Sequence, residues 1–523
     1  MTIRNLVLLA AACTAATSLS FAAVETSTPI ADLQFADSTL AECVSQTAAD
    51  NSWLTVDQFV SLECTYAHLH SASGIEQLSS LEELDLRYND LDDLDVSALQ
   101  NLRSLWVPDN NLSVLDVSGN HMLERLYVYN NSLHELTLGS LPSLSELYLG
   151  RNQLETIDLQ GLPSLIELSI SNNYLTSLNL VQNLALEFVY LSSNALSALD
   201  VSNNEELEYL TIYDNQIAEL ELGVLDQLVS LYAGSNRLSS LDVSELSQLA
   251  YLGANDNLLE YIDVSANEAL IYLGLKENAL SEIDLSSNPL IERLLLASNQ
   301  LQELDLSGQS NLKWLAIGDN PLLEVDVYSF SGLIELDASF LGLTEFDLGA
   351  FPQMKTLNLS GNALLEFEIP SNSAIESLNL SQNAITDFRL PSDTQLQTLD
   401  LRENPLPESL IDVLLANIYE VEVTYGYQAE YFSDELLLEL PAVEIAGTYF
   451  RLELQLVDAD ALIFALQAFS LIAEPDGDTP ATFLDAVLNV PDVLINGEHF
   501  FVALSLLDTE GQIRLQLSAF ELL

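Results

Sequence analysis

Apolar residues recur along this chain at a fixed step. From Leu81 onward the same position is filled by Leu102, Leu123, Leu144, Leu165, Leu186, Leu207, Leu228, Leu249, Leu270, Ile291, Leu312, Leu333, Met354, Ile375 and Leu396, each 21 residues after the last. This spacing marks sixteen units over 81–404, each written LxxLxLxxNxLxxLDLSxNxx. An unbroken period of roughly twenty to fifty residues predicts a solenoid, because one unit cannot bury its apolar face alone and must stack on its neighbours. In the LxLxx segment, apolar and polar residues alternate. That predicts a short strand with one face buried, paired in parallel with the same strand of the next unit.

The Asn column predicts how the turns are held. Asn89, Asn110, Asn131, Asn152, Asn173, Asn194, Asn215, Asn236, Asn257, Asn278, Asn299 and Asn320 stand where the chain leaves the strand; Leu341 interrupts them, and Asn362, Asn383 and Asn404 resume. A carboxamide there can serve the backbone of its own and adjacent turns, so these residues are structural. A second column is acidic: Asp95, Asp116, Asp158, Asp200, Glu221, Asp242, Asp263, Asp284, Asp305, Asp326, Asp347 and Glu368. Stacked at about 4.8 Å, these groups repel unless the turn backbone or a cation satisfies them. A frequent Ser two places on favours turn hydrogen bonds. A calcium ladder is the alternative, although calcium asks for six or more oxygens per ion, and no other cofactor is called for.

The repeat resembles the leucine-rich-repeat family, specifically the bacterial 21-residue class with LDLS or LDVS in its second half, as in internalin-like surface proteins. The resemblance covers residues 81–404. It implies a curved parallel-β solenoid of the α/β repeat type and, since most members are recognition proteins, a binding role. Residues 23–80 resemble the N-terminal cap of bacterial members: Phe35-Ala36-Asp37, a predicted helix over 39–47, Leu62-Glu63-Cys64 in the strand position, and Gly74 to Leu78 leading into the first unit. A cap is also required physically, since the first unit would otherwise expose its apolar end.

The period stops after Asn404. Pro405-Leu406-Pro407 and the stretch 408–418 predict one amphipathic closing helix within a 405–434 segment. Residues 435–523 then hold a duplication: 438–456 aligns with 488–506, placing Pro441 over Pro491, Val443 over Val493, Ile445 over Ile495, Gly447 over Gly497 and Phe450 over Phe500. Period-two alternation around Ala446-Gly447 and Asn496-Gly497 predicts hairpins, joined by a polar linker over 474–478. Such a small β-rich module could be a sandwich, a docking element or a lid on the solenoid.

Composition narrows the function. With 79 acidic residues against 14 basic ones, the formal charge of -65 disfavours nucleic acid and anionic lipid as partners. So acidic a surface suits a saline setting where its self-repulsion is screened. Arg4, the apolar run Leu6 to Ala12 and the small residues before Ala23 predict a signal peptide over 1–22, hence a secreted, surface or periplasmic protein. Lipidation at Cys13 is the alternative. No later stretch is long and apolar enough to span a bilayer. Cys43 and Cys64 then form an even pair in an oxidising compartment, which predicts a disulfide.

Signs of catalysis are weak. The five histidines, His68, His70, His121, His134 and His499, are scattered, no nucleophile elbow, phosphate loop or HExxH occurs, and no catalytic or metal residue is assigned. The informative positions are the third, fifth, seventh and eighth of each unit, which point out of the strand and fill no core. Trp106, Tyr127, Tyr148, Tyr190 and Tyr232 occupy the fifth, Phe188, Tyr209, Tyr251, Tyr272 and Trp314 the third, Tyr129 and Tyr213 the seventh. Strand propensity alone would spread aromatics evenly. The last units instead carry Asp337, Asn358, Asn379 and Asp400 at the fifth position. An aromatic stretch rimmed by charge predicts a recognition surface for a protein or a glycan on the inner face. A carbohydrate hydrolase and a purely structural spacer are the rivals; the first lacks a distinctive carboxylate pair, and the second has no need of clustered aromatics.

Overall fold

The computed structural model describes residues 28–406, apart from 324–325 and 392–393, together with the strand backbones within 422–522. The expected signal peptide, the closing helix over 408–418, the two turn dipeptides at 446–447 and 496–497, and the linker over 474–478 lie outside the described residues. Two compact units divide at Asn204 and Glu205. Both contain the same repeated coil, and the second also holds the duplicated strands.

In the first unit the helix Ser38–Asn51 opens the cap, with the Asp37 carboxylate accepting the Thr39 N–H at its start and Ser52 in the left-handed conformation at its end. The expected helix therefore extends one residue further at its N-terminus and four further at its C-terminus. Leu40, Val44 and Ala48 form its buried face. Strand Ser61–Glu63 pairs in parallel with Glu83–Asp85, as the cap resemblance implies. Cys43 and Cys64 are bonded, tying the helix to this strand with a Cα–Cα distance of 6.1 Å. Strands Ser104–Trp106, Arg125–Tyr127, Glu146–Tyr148, Glu167–Ser169 and Phe188–Tyr190 follow, each in register with its predecessor at a step of 21 residues.

The second unit repeats this arrangement from Tyr209–Thr211 through Ser230–Tyr232, Tyr251–Gly253, Tyr272–Gly274, Arg293–Leu295, Trp314–Ala316, Glu335–Asp337, Thr356–Asn358 and Ser377–Asn379 to Thr398–Asp400. The strands are only three residues long because the coil turns on both sides. Their central residues, such as Leu84, Leu105, Leu210 and Leu231, are fully buried.

The asparagines bond as predicted. Asn110 Nδ2 donates to the carbonyls of Leu86 in the preceding coil, at 3.0 Å, and of Val107 in its own, at 3.2 Å, while its Oδ1 accepts the Leu91 N–H. Where Leu341 interrupts the column, its backbone N–H is met by the next asparagine: Asn362 Oδ1 accepts from Leu341 as well as from Leu343. The residue before each asparagine sits at positive φ, as in Tyr88, Asp109, Asn130 and Arg151, and this reverses the chain so that the amide points inward. Left-handed backbone costs a non-glycine residue about 1 kcal/mol. The carboxamide's three or four hydrogen bonds offset it.

A second amide column is also structural, a role that the spacing pattern assigns only to the first. Asn120 and Asn183 in the first unit, and Asn267, Asn288 and Gln309 in the second, are buried at the nineteenth position of the unit, the final N of the motif. Each donates into the preceding coil, as Asn120 does to Val96 and Leu99 at 2.9 Å, and none of their carbonyl oxygens finds a protein partner. Leucine or phenylalanine fills this position in Leu141, Leu162, Leu246 and Phe351.

The duplicated segment forms eight strands, four per copy, running from Ala429–Phe432 to Ile463–Leu471 and from Ala481–Leu484 to Arg514–Leu522. Antiparallel pairs Ile445 with Thr448 and Ile495 with Glu498 flank the two turn dipeptides. The register slips between Leu440 and Val443 and again between Val490 and Val493, at the aligned Pro441 and Pro491. Proline lacks the ladder N–H, so an irregularity belongs there. The copies interlock: Ala429 pairs with Val493, Val443 with Ala481, and Ile463 with Gln516.

Two measurements check this architecture. Leu210→Asp places an unpaired charge in a fully buried site, whereas Ser169→Asp adds one at a partly exposed strand position. Chemical denaturation should show a loss exceeding about 3 kcal/mol for the first and a change within about 0.5 kcal/mol for the second. Reducing the Cys43–Cys64 bond, which spans 21 residues, should cost the cap about 3 kcal/mol. Free thiols in the unreduced, denatured protein would contradict the pairing.

Candidate functional site

All twelve sequence-predicted aromatics reach solvent, in part or fully, because odd positions of the short strands face away from the coil interior. They form separate clusters within the two units.

In the first unit, strand register aligns Trp106 with Tyr127 and Tyr127 with Tyr148. Their rings stack. Centroids are 5.9 and 4.7 Å apart, with interplanar angles of 15° and 20°. Arg125 lies 5.5 Å from the Trp106 ring centre, and its Nε donates to Ser104 Oγ at 3.0 Å. The hydroxyl of Tyr127 donates to Glu146, and that of Tyr148 to Glu167. Burial within the stack, and then these carboxylate partners, push both phenols well above their ordinary range. Tyr129 is raised in the same way, by burial first. Phe188 and Tyr190 stand outside this ladder, because strand Glu167–Ser169, which carries no aromatic, lies between.

The first unit also holds an aromatic pair outside the sequence-predicted set. Tyr66 and Tyr88 stack at 4.3 Å with rings 10° apart, and both are exposed. They occupy the left-handed position before the turn asparagine and its counterpart in the cap. The signal for this pair in the chain is Tyr88 at the outward eighth position of the first repeat.

In the second unit the rings are spread. Tyr209 and Tyr232 are 5.8 Å apart at 45°, Tyr232 and Tyr272 6.3 Å apart at 44°. Burial raises the Tyr209 and Tyr232 phenols. Tyr251 pairs in register with Tyr272, and Tyr213 is half exposed. Arg293 stands between Tyr272 and Trp314 in the register, with its guanidinium 6.0 Å from the Tyr272 ring centre. A cavity of 720 Å³ lies on the flank of the later coils. Phe346, Leu365 and Phe367 line it, together with Arg389, which pairs with Asp387 at 2.9 Å and Glu368 at 3.3 Å.

The acidic column is built of turn hydrogen bonds. Asp95, Asp116, Asp200, Asp242, Asp263, Asp284 and Asp305 each accept the backbone N–H two residues on, at 2.9 to 3.0 Å. The following serine hydroxyl and that N–H hold these carboxyls below their usual range, and they outweigh the repulsion from stacked neighbours such as Asp242 and Asp284 around Asp263. Among the described residues, no group of three or more His, Cys, Asp or Glu side chains is placed to hold a metal ion. His68 faces Asp90 at 3.2 Å, and His121 faces the Ser140 carbonyl, so the histidines of the cap and early coils do not converge.

Known proteins share this coil. Residues 77–99 match the family described as Leucine Rich repeat. YopM from Yersinia enterocolitica is 30% identical, with 70% of this chain and 82% of that chain covered and a TM-score of 0.53. The functional domain of InlJ from Listeria monocytogenes is 22% identical, with 81% and 93% covered and a TM-score of 0.57. The plant peptide hormone receptor RGFR1, solved in complex with RGF2, is 20% identical over 68% of each chain with a TM-score of 0.52. No curated protein matches. The chain is a leucine-rich-repeat solenoid and belongs to the bacterial 21-residue class of that family.

The carboxyl shifts make a pH prediction. A carboxyl whose folded pKa lies below its unfolded value of about 3.9 stabilises the fold above that pH, and the contribution is lost as pH falls through the folded value. Replacing Asp242, Asp263, Asp284 and Asp305 together by Asn keeps the turn acceptor but removes the titration. Between pH 6 and pH 3, thermal unfolding should therefore show a larger drop for the native chain than for this variant.

Proposed function

We propose that this chain is an exported protein-binding solenoid whose outward strand positions grip a protein ligand. One observation carries the reading: the Trp106, Tyr127 and Tyr148 ladder in the first unit, held rigid by stacking and by Glu146 and Glu167, yet open to solvent. Large pre-ordered aromatics next to an arginine are what dominate binding energy at protein interfaces, because they desolvate much area while losing little side-chain freedom. Here the rings cover one another's inner faces and offer their edges, which suits an irregular protein surface better than a flat ligand. The fold supports the same role, as RGFR1 in complex with RGF2 illustrates for a peptide. The Cys43–Cys64 bond fits an oxidising compartment outside the cytosol, and no helix among the described residues is long and apolar enough to cross a membrane. With no catalytic grouping singled out, binding accounts for the surface without chemistry.

The test begins with capture by the whole mature chain from cells or matrix of its surroundings. Titration calorimetry of the captured protein should then show losses of about 1 to 3 kcal/mol for the best anchors among Trp106→Ala, Tyr127→Ala and Tyr148→Ala. Asn358→Ala and Asn379→Ala, at the same position in polar coils, should change affinity by less than about 0.5 kcal/mol. The opposite ranking would move the contact surface to the later coils.

A further inference from the structure

Three consecutive coils depart from the repeat on their flank. At the first residue of the LDLS half, earlier coils carry Leu, Ile or Val, as in Leu199, Ile283 and Leu304, whereas these carry Phe346, Phe367 and Phe388. Three places on, where Ser is frequent, stand Gly349, Pro370 and Pro391. Asp347 and Glu368 therefore lack the serine hydroxyl that serves Asp242 and Asp284. Asp347 keeps the turn bond, accepting the Gly349 N–H at 2.8 Å, while Glu368 and Asp387 hold the Arg389 guanidinium.

The flank cavity of 720 Å³ lies among these residues. Ligand sites usually enclose about 300 to 1,000 Å³. Two of the phenylalanines line it, and both are braced: Phe346 stacks on buried Phe351, 5.4 Å apart at 9°, and buried Phe367 stacks on Phe388, 6.4 Å apart at 11°. Beside them Leu365 leaves 63% of its surface exposed, so the lining has an apolar part that reaches solvent. Five carboxylates, those of Glu345, Asp347, Glu366, Glu368 and Asp387, share this lining with one cation, Arg389. Asp387 and Glu368 hold that cation, and Glu366 meets it only at longer range. Among the described residues, neither Glu345 nor Glu366 has a cation within ion-pair distance. The side toward Asp387 is thus neutralised, and the side toward Glu345 is not.

We infer that this cavity seats a lysine side chain of a protein partner. A lysine lays its methylene stem along apolar surface and keeps its ammonium at the polar edge, which matches Leu365 and the two rings beside Glu345 and Glu366. The ring of Phe346 adds attraction for a cation. An ammonium carries three donors and can serve several carboxylates at once, whereas a guanidinium prefers to grip a single one, as Arg389 grips Asp387. A free polyamine fits less well. It carries a charge every few carbons, so a second ammonium would fall on the apolar lining or on the side that Arg389 already neutralises. In a chain of formal charge -65, the long-range field also draws a basic partner toward the surface. These residues are distinct from the Trp106, Tyr127 and Tyr148 ladder, so this is a second contact surface.

The experiment is calorimetric titration of the full mature chain with the peptide acetyl-Ala-Leu-Lys-Leu-Ala-amide, to about 5 mM at low salt. It should bind with a Kd of about 1 mM or tighter, and the same peptide with its lysine acetylated should bind about tenfold more weakly. Glu345→Gln combined with Glu366→Gln should weaken the lysine peptide by about tenfold, and Leu365→Ser by about threefold. Glu282→Gln combined with Glu303→Gln removes the same charge from the same position of two earlier coils and should change binding by less than about twofold. All four glutamates are exposed, so the melting temperature should stay within about 2 °C of the native value in both double variants. No binding of the lysine peptide, equal binding of its acetylated form, or equal weakening by the two double variants would overturn the inference. So would spermidine that binds more tightly than the peptide and is lost with Glu345→Gln and Glu366→Gln, since that assigns the cavity to a free polyamine. The titration needs no captured protein and alters none of Trp106, Tyr127 and Tyr148, so its failure and a failure of the ladder contact are read separately.

Discussion

Every coil of this chain must turn sharply out of a three-residue strand without leaving buried peptide groups unbonded, and the turn asparagine meets that demand. Its amide donates to one carbonyl in its own coil and one in the coil before, and its oxygen takes an N–H from that preceding coil, as at Asn173 and Asn299. Few other side chains combine a donor and an acceptor at this reach. An unbonded buried amide costs about 1 to 3 kcal/mol, so the bond network dictates both the left-handed residue before each asparagine and the step of 21. Leucine packing supplies most of the stabilisation, and the asparagines keep the stack in a single register.

That rigidity gives the outward positions their value. With the core filled by the even positions of the strand and the turns closed by amides, side chains at the third and fifth positions are free to vary without cost to the fold. The two units use this freedom differently. Trp106, Tyr127 and Tyr148 stack nearly parallel and brace one another, whereas Tyr209, Tyr232 and Tyr272 are tilted against one another by 44 to 45°. On the acidic flank the aspartates are occupied with turn N–H groups and serine hydroxyls, which offset the repulsion along a ladder of like charges.

Much of this architecture is legible in the residues. The period of 21, the single buried face of each strand, the role of the asparagines, the Cys43–Cys64 bond and the turn bonding of the aspartates all follow from spacing and residue chemistry, because in a solenoid each unit contacts only its neighbours and local pattern determines local structure. Even the interruption at Leu341 is visible, although the bond from the Leu341 N–H to Asn362 is not. The duplication after residue 435 is plain from the aligned prolines and glycines, whereas the interlocking of the two copies, Ala429 with Val493 and Val443 with Ala481, is not, since strand pairing between repeats leaves no mark on either sequence.

Which aromatics face outward can be read from the chain alone, and all twelve expected ones are at least partly exposed. How they face is set by the packed coils. Spacing cannot say whether a ring stacks on its neighbour or tilts away from it, because that depends on the side chain opposite it in the adjacent coil, 21 residues away. Tyr148 meets Tyr127 there and stacks; Tyr232 meets Gly253 and turns its ring edge into the space that a side chain would fill. The same separation hides the Tyr66 and Tyr88 pair, whose left-handed backbone brings two consecutive coils' tyrosines within 4.3 Å. Orientation is a property of pairs across coils, and it becomes readable only once the register between them is known.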